Sequence, residues 1–188
     1  MDKSTVALRT EAAEGAPALL LRAWAPRDIP QLVEAHRDAE LRRWITTLVH
    51  DEESAARWVQ DQRSGWDSGE RIAFAVVEPA AADGGETVVG HVVLKRTGTA
   101  TSAEVGYWTA AAARGRAVAP RALRALTDWA FTVLDLTRLD LLHRTDNAAS
   151  CRVAEKAGYR LEAVLPAAPP AFPETGHLHT RAAEPPAP

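Results

Sequence analysis

"AARGRAVAPRALRALTDWAF", Ala112 to Phe131, joins two halves that differ in kind. The second half has helical spacing. Ala122, Leu123, Leu126 and Ala130, continued by Val133, form one apolar stripe that carries the helix to about Leu134. The first half holds small residues and arginines, with Pro120 where the first turn begins. Proline costs little there, because its missing N–H would have had no partner inside the helix. The first amides of a helix are unpaired, and the helix dipole makes that end positive. A turn of small side chains lets an anion reach those amides, and Arg114, Arg116 and Arg121 add charge. Two readings stand on these residues alone: a phosphate cradle, or a helix start with surface arginines.

Outward from this stretch, "SAEVGYWT" (Ser102 to Thr109) alternates as a strand. Ala103, Val105 and Tyr107 share one face, and Glu104, Gly106 and Trp108 share the other. Before it, "RIAFAVVE" and "TVVGHVVLKRT" are rich in β-branched residues and flank a hairpin loop containing Gly84 and Gly85. Earlier still come a strand, "ALLLRAW", and two helices. The first helix follows Asp28 as cap and carries Pro30 in its first turn. The second begins near Asp51, with Ala55, Trp58, Val59 and Gln62 facing inward. After the long helix, "TRLDLLHR" reads as a strand and "NAASCRVAEKAG" as a helix capped by Asn147 or Asp146 and ended by a left-handed Gly158. "YRLEAVL" and "GHLHTR" close the order as strands on either side of a Pro-rich connection. Hairpin-linked strands pair antiparallel, and strands separated by a helix run parallel. The expected fold is α/β, a mixed sheet with helices on its faces. Residues 1–16 read as a flexible tail, 17–182 as one domain and 183–188 as a second tail.

The composition narrows the function. The 188 residues carry a net charge of −3, which gives no general attraction to nucleic acid. The single cysteine, Cys151, rules out an internal disulfide and suits a reducing, cytoplasmic setting. No apolar run approaches the roughly 20 residues of a membrane span. There is no G-x-x-x-x-G-K-[ST] and no G-x-G-x-x-G after a strand, so both common nucleotide fingerprints are absent.

The element order, with "AEVGYW", "ARGRAVAPRAL" and "DNAASCRVAEKAGYRLEAVL", resembles the GNAT N-acetyltransferase superfamily. It is most similar to the branch of ribosomal-protein N-terminal acetyltransferases. The resemblance covers about Ala18 to Arg181 and is strongest from Glu104 to Leu165. It implies acetyl coenzyme A as co-substrate, a primary amine as acceptor and direct transfer between them. The family's pyrophosphate loop, [QR]-x-x-G-x-[GA], falls here on Arg114, Gly115, Arg116, Ala117, Val118 and Ala119. Alanine replaces the central glycine at Ala117; if that position needs a positive φ, the replacement costs about 1 kcal/mol. Asn147 falls where the family's asparagine meets the pantetheine arm. A family tyrosine that follows seven residues later is here Ala154, while Ser150 matches a serine frequent in this branch.

The chemistry needs a neutral amine. A peptide α-amino group, with a pKa near ~8, needs less help than a lysine near ~10.4. Glu104 lies at the family's strand glutamate and is the candidate base, acting through water. By the same resemblance, an N–H near Tyr107 or Trp108 would hold the oxyanion. Ser150 is the candidate donor to the departing thiolate, although a thiol pKa near ~8.5 makes assistance optional. Trp44, Trp66 and His143 are candidate acceptor contacts. Cys151 reads as a packed thiol. His177 and His179 share a strand face, but two imidazoles without a third ligand make a poor metal site, and no metal is expected. The expected partners are therefore acetyl coenzyme A and an amine, from a protein N-terminus or a small molecule, with neither nucleic acid nor membrane. A homodimer is common in the family. The alternative function is a non-catalytic acyl-coenzyme A binding or regulatory module, which Ala117 and the missing tyrosine keep open.

Overall fold

The computed structural model describes residues 6–13, 15–79, 85–170 and 172–184. Gly84, expected in a hairpin loop, lies outside them. The strands are β1 (Ala7–Thr10), β2 (Leu19–Ala23), β3 (Arg71–Pro79), β4 (Glu86–Arg96), β5 (Ser102–Thr109), β6 (Arg138–Arg144), β7 (Arg160–Leu165) and β8 (Gly176–Ala182). They form one sheet in the order β1-β2-β3-β4-β5-β6-β8-β7. Every pairing is antiparallel except β5 with β6, which are joined by a crossover helix and run parallel.

The helices are α1 (Ile29–Ala35), α2 (Ala39–Trp44), α3 (Glu52–Ser68), α4 (Val118–Val133) and α5 (Ala148–Lys156). They cover the two faces of the sheet. On one face Leu123, Leu126 and Ala130 of α4 pack with Phe74, Leu94, Val105 and Leu139, and Ala154 of α5 extends this core. On the other face, Leu32 of α1 and Ala55, Trp58 and Val59 of α3 pack with Trp24, Ala75, Val93 and Trp108. Alternation along β5 sends Val105 to the first core and Trp108 to the second.

Several expectations change. Ala7–Thr10, expected within a flexible tail, pairs with β2. Arg121 reinforces this segment by donating to Thr10 Oγ1 and to the carbonyls of Glu11 and Pro17. Asp28 does not cap α1 through its side chain. It is buried, takes two hydrogen bonds from Arg22 at 2.8 Å, and accepts the Ala25 amide. The short α2 was not anticipated; Asp38 caps it by accepting from the amides of Glu40 and Leu41. Val133 is half exposed, because the apolar stripe leaves the sheet in the last turn of α4. β6 and β7 run in the same direction but do not pair, since β8 inserts between them. α3 starts at the expected place, with Asp51 as its cap; of the two candidates Asn147 and Asp146, Asn147 caps α5; and Gly158 has φ 84°, as expected.

Candidate active site

The site begins where the sheet opens. β5 and β6 pair only from Ser102 with Arg138 to Val105 with Leu141. Beyond that point Gly106 to Thr109 continue to pair with β4, and Leu142 to Arg144 with β8. The two central strands diverge, and the edge of β5 that faces β6 has no ladder partner from Gly106 onward. Backbone amides around Tyr107 and Trp108 therefore border the gap.

At the end of β5 the chain makes a single 3-10 turn (Ala111–Ala113) and enters α4. Gly115 has φ 78°, and a side chain there would meet nothing within 4 Å. Ala117 has φ 56° and ψ 24° and serves as the helix N-cap without a side-chain bond. The left-handed conformation costs an L-residue about 1–2 kcal/mol. Ala117 thus holds the backbone shape of a glycine. The first helical hydrogen bond runs from the Arg121 amide to the Ala117 carbonyl at 3.2 Å. The amides of Val118 and Ala119 have no helical acceptor four residues back, while their side chains are buried. An open turn followed by unpaired helix amides fits a diphosphate.

The arginines of the turn are already engaged. Arg114 is paired with Asp38, and Arg116 with Glu78. Burial alone would raise the Asp38 pKa; Arg114 and the two capped amides instead hold it below its usual value. A bound anion would share both arginines with these carboxylates. Arg121, by contrast, is committed to the N-terminal segment and does not join the turn.

Ser150 and Tyr107 meet across the gap. The serine is buried in the first turn of α5, and its Oγ lies 2.8 Å from the tyrosine hydroxyl. Burial pushes the Tyr107 phenol up to about 12, against the opposing bond to Ser150, so it stays protonated. Asn147 Oδ1 accepts the Ser150 amide at 3.1 Å, and this bond fixes the turn. The sequence reading named Tyr107 only for its backbone. Its alternation with Val105 was the signal that its side chain faces α5.

Glu104 occupies the opposite face, within the paired part of β5. Lys95 Nζ donates to its Oε1 at 2.6 Å, and both side chains are about a third exposed or more. The candidate base is thus ion-paired. Trp44 lies beside the end of β6, with the guanidinium groups of Arg43 and Arg144 over its ring at 4.5 and 5.4 Å. Trp66 is not an acceptor contact. It is buried, donates to the Ala73 carbonyl at 2.8 Å and packs edge-on against Phe74. Trp108 is likewise a core side chain, stacked near His91. His143 lies under α5 with Cys151, His177 and His179, so the two strand imidazoles do have further ligand-type neighbours.

A mixed sheet that opens between two parallel strands, beside the start of a long helix, is the architecture of an acetyltransferase fold. The model of the acetyltransferase (GNAT) domain family matches residues 18–160, and the chain belongs to this family of acetyltransferases. No curated protein sequence matches it. Among solved structures, a Vibrio cholerae protein assigned as a ribosomal-protein-serine acetyltransferase superposes with a TM-score of 0.81 and is 24% identical. That alignment covers 96% of this chain and 99% of the other. Mycobacterium smegmatis RimJ, in complex with a coenzyme A disulfide, gives 0.75 at 23% identity over 89% and 83% of the two chains. RimL, a ribosomal alpha-N-protein acetyltransferase also seen with coenzyme A, gives 0.75 at 21% over 87% and 93%. At these identities the likeness speaks for the fold.

Proposed function

We propose that the protein transfers acetyl from acetyl coenzyme A to a primary amine, with a protein N-terminus as the favoured acceptor. The observation that carries this reading is the interrupted β5–β6 ladder beside the free amides of the Gly115–Ala119 turn. The gap can take the pantetheine arm, and the turn can take the diphosphate. The coenzyme-bound structures of RimJ and RimL support the same co-substrate.

In this reading the amine nitrogen attacks the thioester carbonyl carbon. Negative charge gathers on the carbonyl oxygen, where a β5 amide near Tyr107 or Trp108 stabilises it. The C–S bond then breaks and the sulfur leaves as a thiolate, which accepts a hydrogen bond from the Ser150 hydroxyl and takes its proton from solvent. Tyr107, 2.8 Å away, orients that hydroxyl and stays protonated. The proton lost by the amine passes through water to Glu104, whose anion Lys95 stabilises. Asn147 holds α5 at the gap and orients Ser150. Trp44 borders the acceptor side.

Release of free coenzyme A thiol tests the proposal. The protein would be mixed with acetyl coenzyme A and a panel of N-terminal peptides and small amines. Turnover with peptides is expected. Turnover with small amines alone would move the acceptor to that class. Tight coenzyme binding without turnover on any amine would leave the non-catalytic module as the better account.

A further inference from the structure

Four side chains of metal-ligating type converge where β6 and β8 pass beneath α5. His143 and His177 are direct cross-strand partners. His179 lies two residues further along β8 and so shares their face. Cys151 comes down from α5. One ligand atom from each residue lies within 4.8 Å of the other three. Among the described residues no other group of three or more His, Cys, Asp or Glu is so placed.

The internal geometry suits an ion better than a hydrogen-bonded cluster. Cys151 Sγ is 3.2 Å from His177 Nδ1 and 3.6 Å from His143 Nε2. Tetrahedral bonds of about 2.0–2.1 Å to nitrogen and about 2.3 Å to sulfur leave ligand atoms roughly 3.3–3.7 Å apart. The 3.6 Å edge already matches and the 3.2 Å edge is only slightly short, so modest side-chain rotation would complete the set. His143 Nδ1 donates to the Arg144 carbonyl at 2.8 Å, which leaves the Nε2 lone pair facing the sulfur. Metal-bound histidines use the same arrangement to fix their tautomer. His179 is the decisive residue. It is 1% exposed, and no well-formed hydrogen bond reaches either ring nitrogen; the Tyr159 backbone offers only a weak polar contact. Burying an imidazole this way is costly, and bonds between the thiol and the other rings do not relieve it. A cation held by one of its nitrogens would.

We propose that His143, Cys151, His177 and His179 form a closed tetrahedral site for a zinc ion. Three nitrogens and one thiolate suit this borderline-soft ion, and four protein ligands leave no open position. The ion is therefore structural: it ties α5 to β6 and β8 directly beside Ser150. This inference stands apart from the transfer reaction, since the ligands and their spacing do not depend on it.

The full chain, freed of metal by chelator and dialysed, would be titrated with Zn²⁺ alone and separately with Co²⁺. One equivalent of zinc should bind, and cobalt should show intense tetrahedral bands with a thiolate charge-transfer band. Cys151→Ser should abolish the charge-transfer band. Cys151→Ser and His179→Ala should each weaken zinc binding roughly 100-fold or more, while His50→Gln, at an exposed histidine just before α3 and outside the cluster, should leave it unchanged. Substoichiometric binding, an octahedral cobalt spectrum, or unaltered affinity in both ligand variants would overturn the proposal. If the variants do not fold, the cobalt spectrum of the parent protein decides it alone.

Discussion

Replacing Ala117 with glycine removes a penalty without removing a contact. Ala117 is exposed, has φ 56° and makes no side-chain cap bond. Relief of the left-handed strain is worth about 1–2 kcal/mol. Glycine also gains freedom in the unfolded chain, which returns about 0.4–1 kcal/mol. The net expectation is a stabilisation of roughly 0.5–1 kcal/mol, or a rise in Tm of about 1–4 °C for a chain of this size. Coenzyme A affinity should hold or improve, because the turn keeps its shape and loses one methyl group near the diphosphate. Gly115→Val is the counterpart. It places a β-branched residue at φ 78° and fills space that is open in the structure. It should lower Tm and weaken coenzyme A binding by at least roughly tenfold, about 1.4 kcal/mol. Scanning calorimetry and titration calorimetry with coenzyme A read both quantities. An Ala117→Gly protein with unchanged or lower Tm would refute the strain argument. A Gly115→Val protein with undiminished affinity would refute the cradle.

Three further expectations follow from the site and the core. Glu104→Gln should depress turnover most at low pH, where more of the amine is protonated, and leave coenzyme A affinity intact; an unaltered pH–rate profile would reduce Glu104 to a surface ion pair with Lys95, worth about 0–1 kcal/mol. Ser150→Ala should slow turnover by roughly tenfold with little change in binding, and Tyr107→Phe should slow it less, since it removes only the hydroxyl that orients Ser150; equal rates in all three proteins, with chemistry limiting, would assign the pair to packing. His36 and His91 are buried, chiefly by desolvation held down to about 4 and about 3, so the unfolded chain binds protons that the fold does not as pH drops below 6.5. Stability should therefore fall with pH between about 6.5 and 5 by up to roughly 3 kcal/mol per unit for the two together, with a smaller slope in His36→Gln; urea titrations giving a flat profile over that window would contradict it.

What the sequence disclosed and what it withheld divide by the range of the interactions. The strand β5, the helices α3, α4 and α5 and their caps at Asp51 and Asn147 are set by spacing within a few residues, and the periodicity located them. The left-handed turn at Ala117 was approachable only through the resemblance, which places the family's central glycine there. By contrast, β1 has only four residues, and its conformation depends on pairing with β2 and on Arg121, more than a hundred positions away. Trp66 looked like a groove residue until Phe74 and the Ala73 carbonyl enclosed it. The same holds for the two charged pairs at the cradle: Asp38 and Glu78 come from different elements and meet Arg114 and Arg116 only in the folded sheet. Topology matters most at the histidines. As neighbours on β8, His177 and His179 offered two ligands and no third. The insertion of β8 between β6 and β7 sets His177 opposite His143 and brings both under Cys151. No local pattern encodes that insertion. It depends on whether the chain leaving β7 returns across the sheet edge or beside it. A site assembled by such a return is legible only once the strand order is known, and the burial of His179 without a well-formed hydrogen bond is then the first sign that the cluster suits an ion.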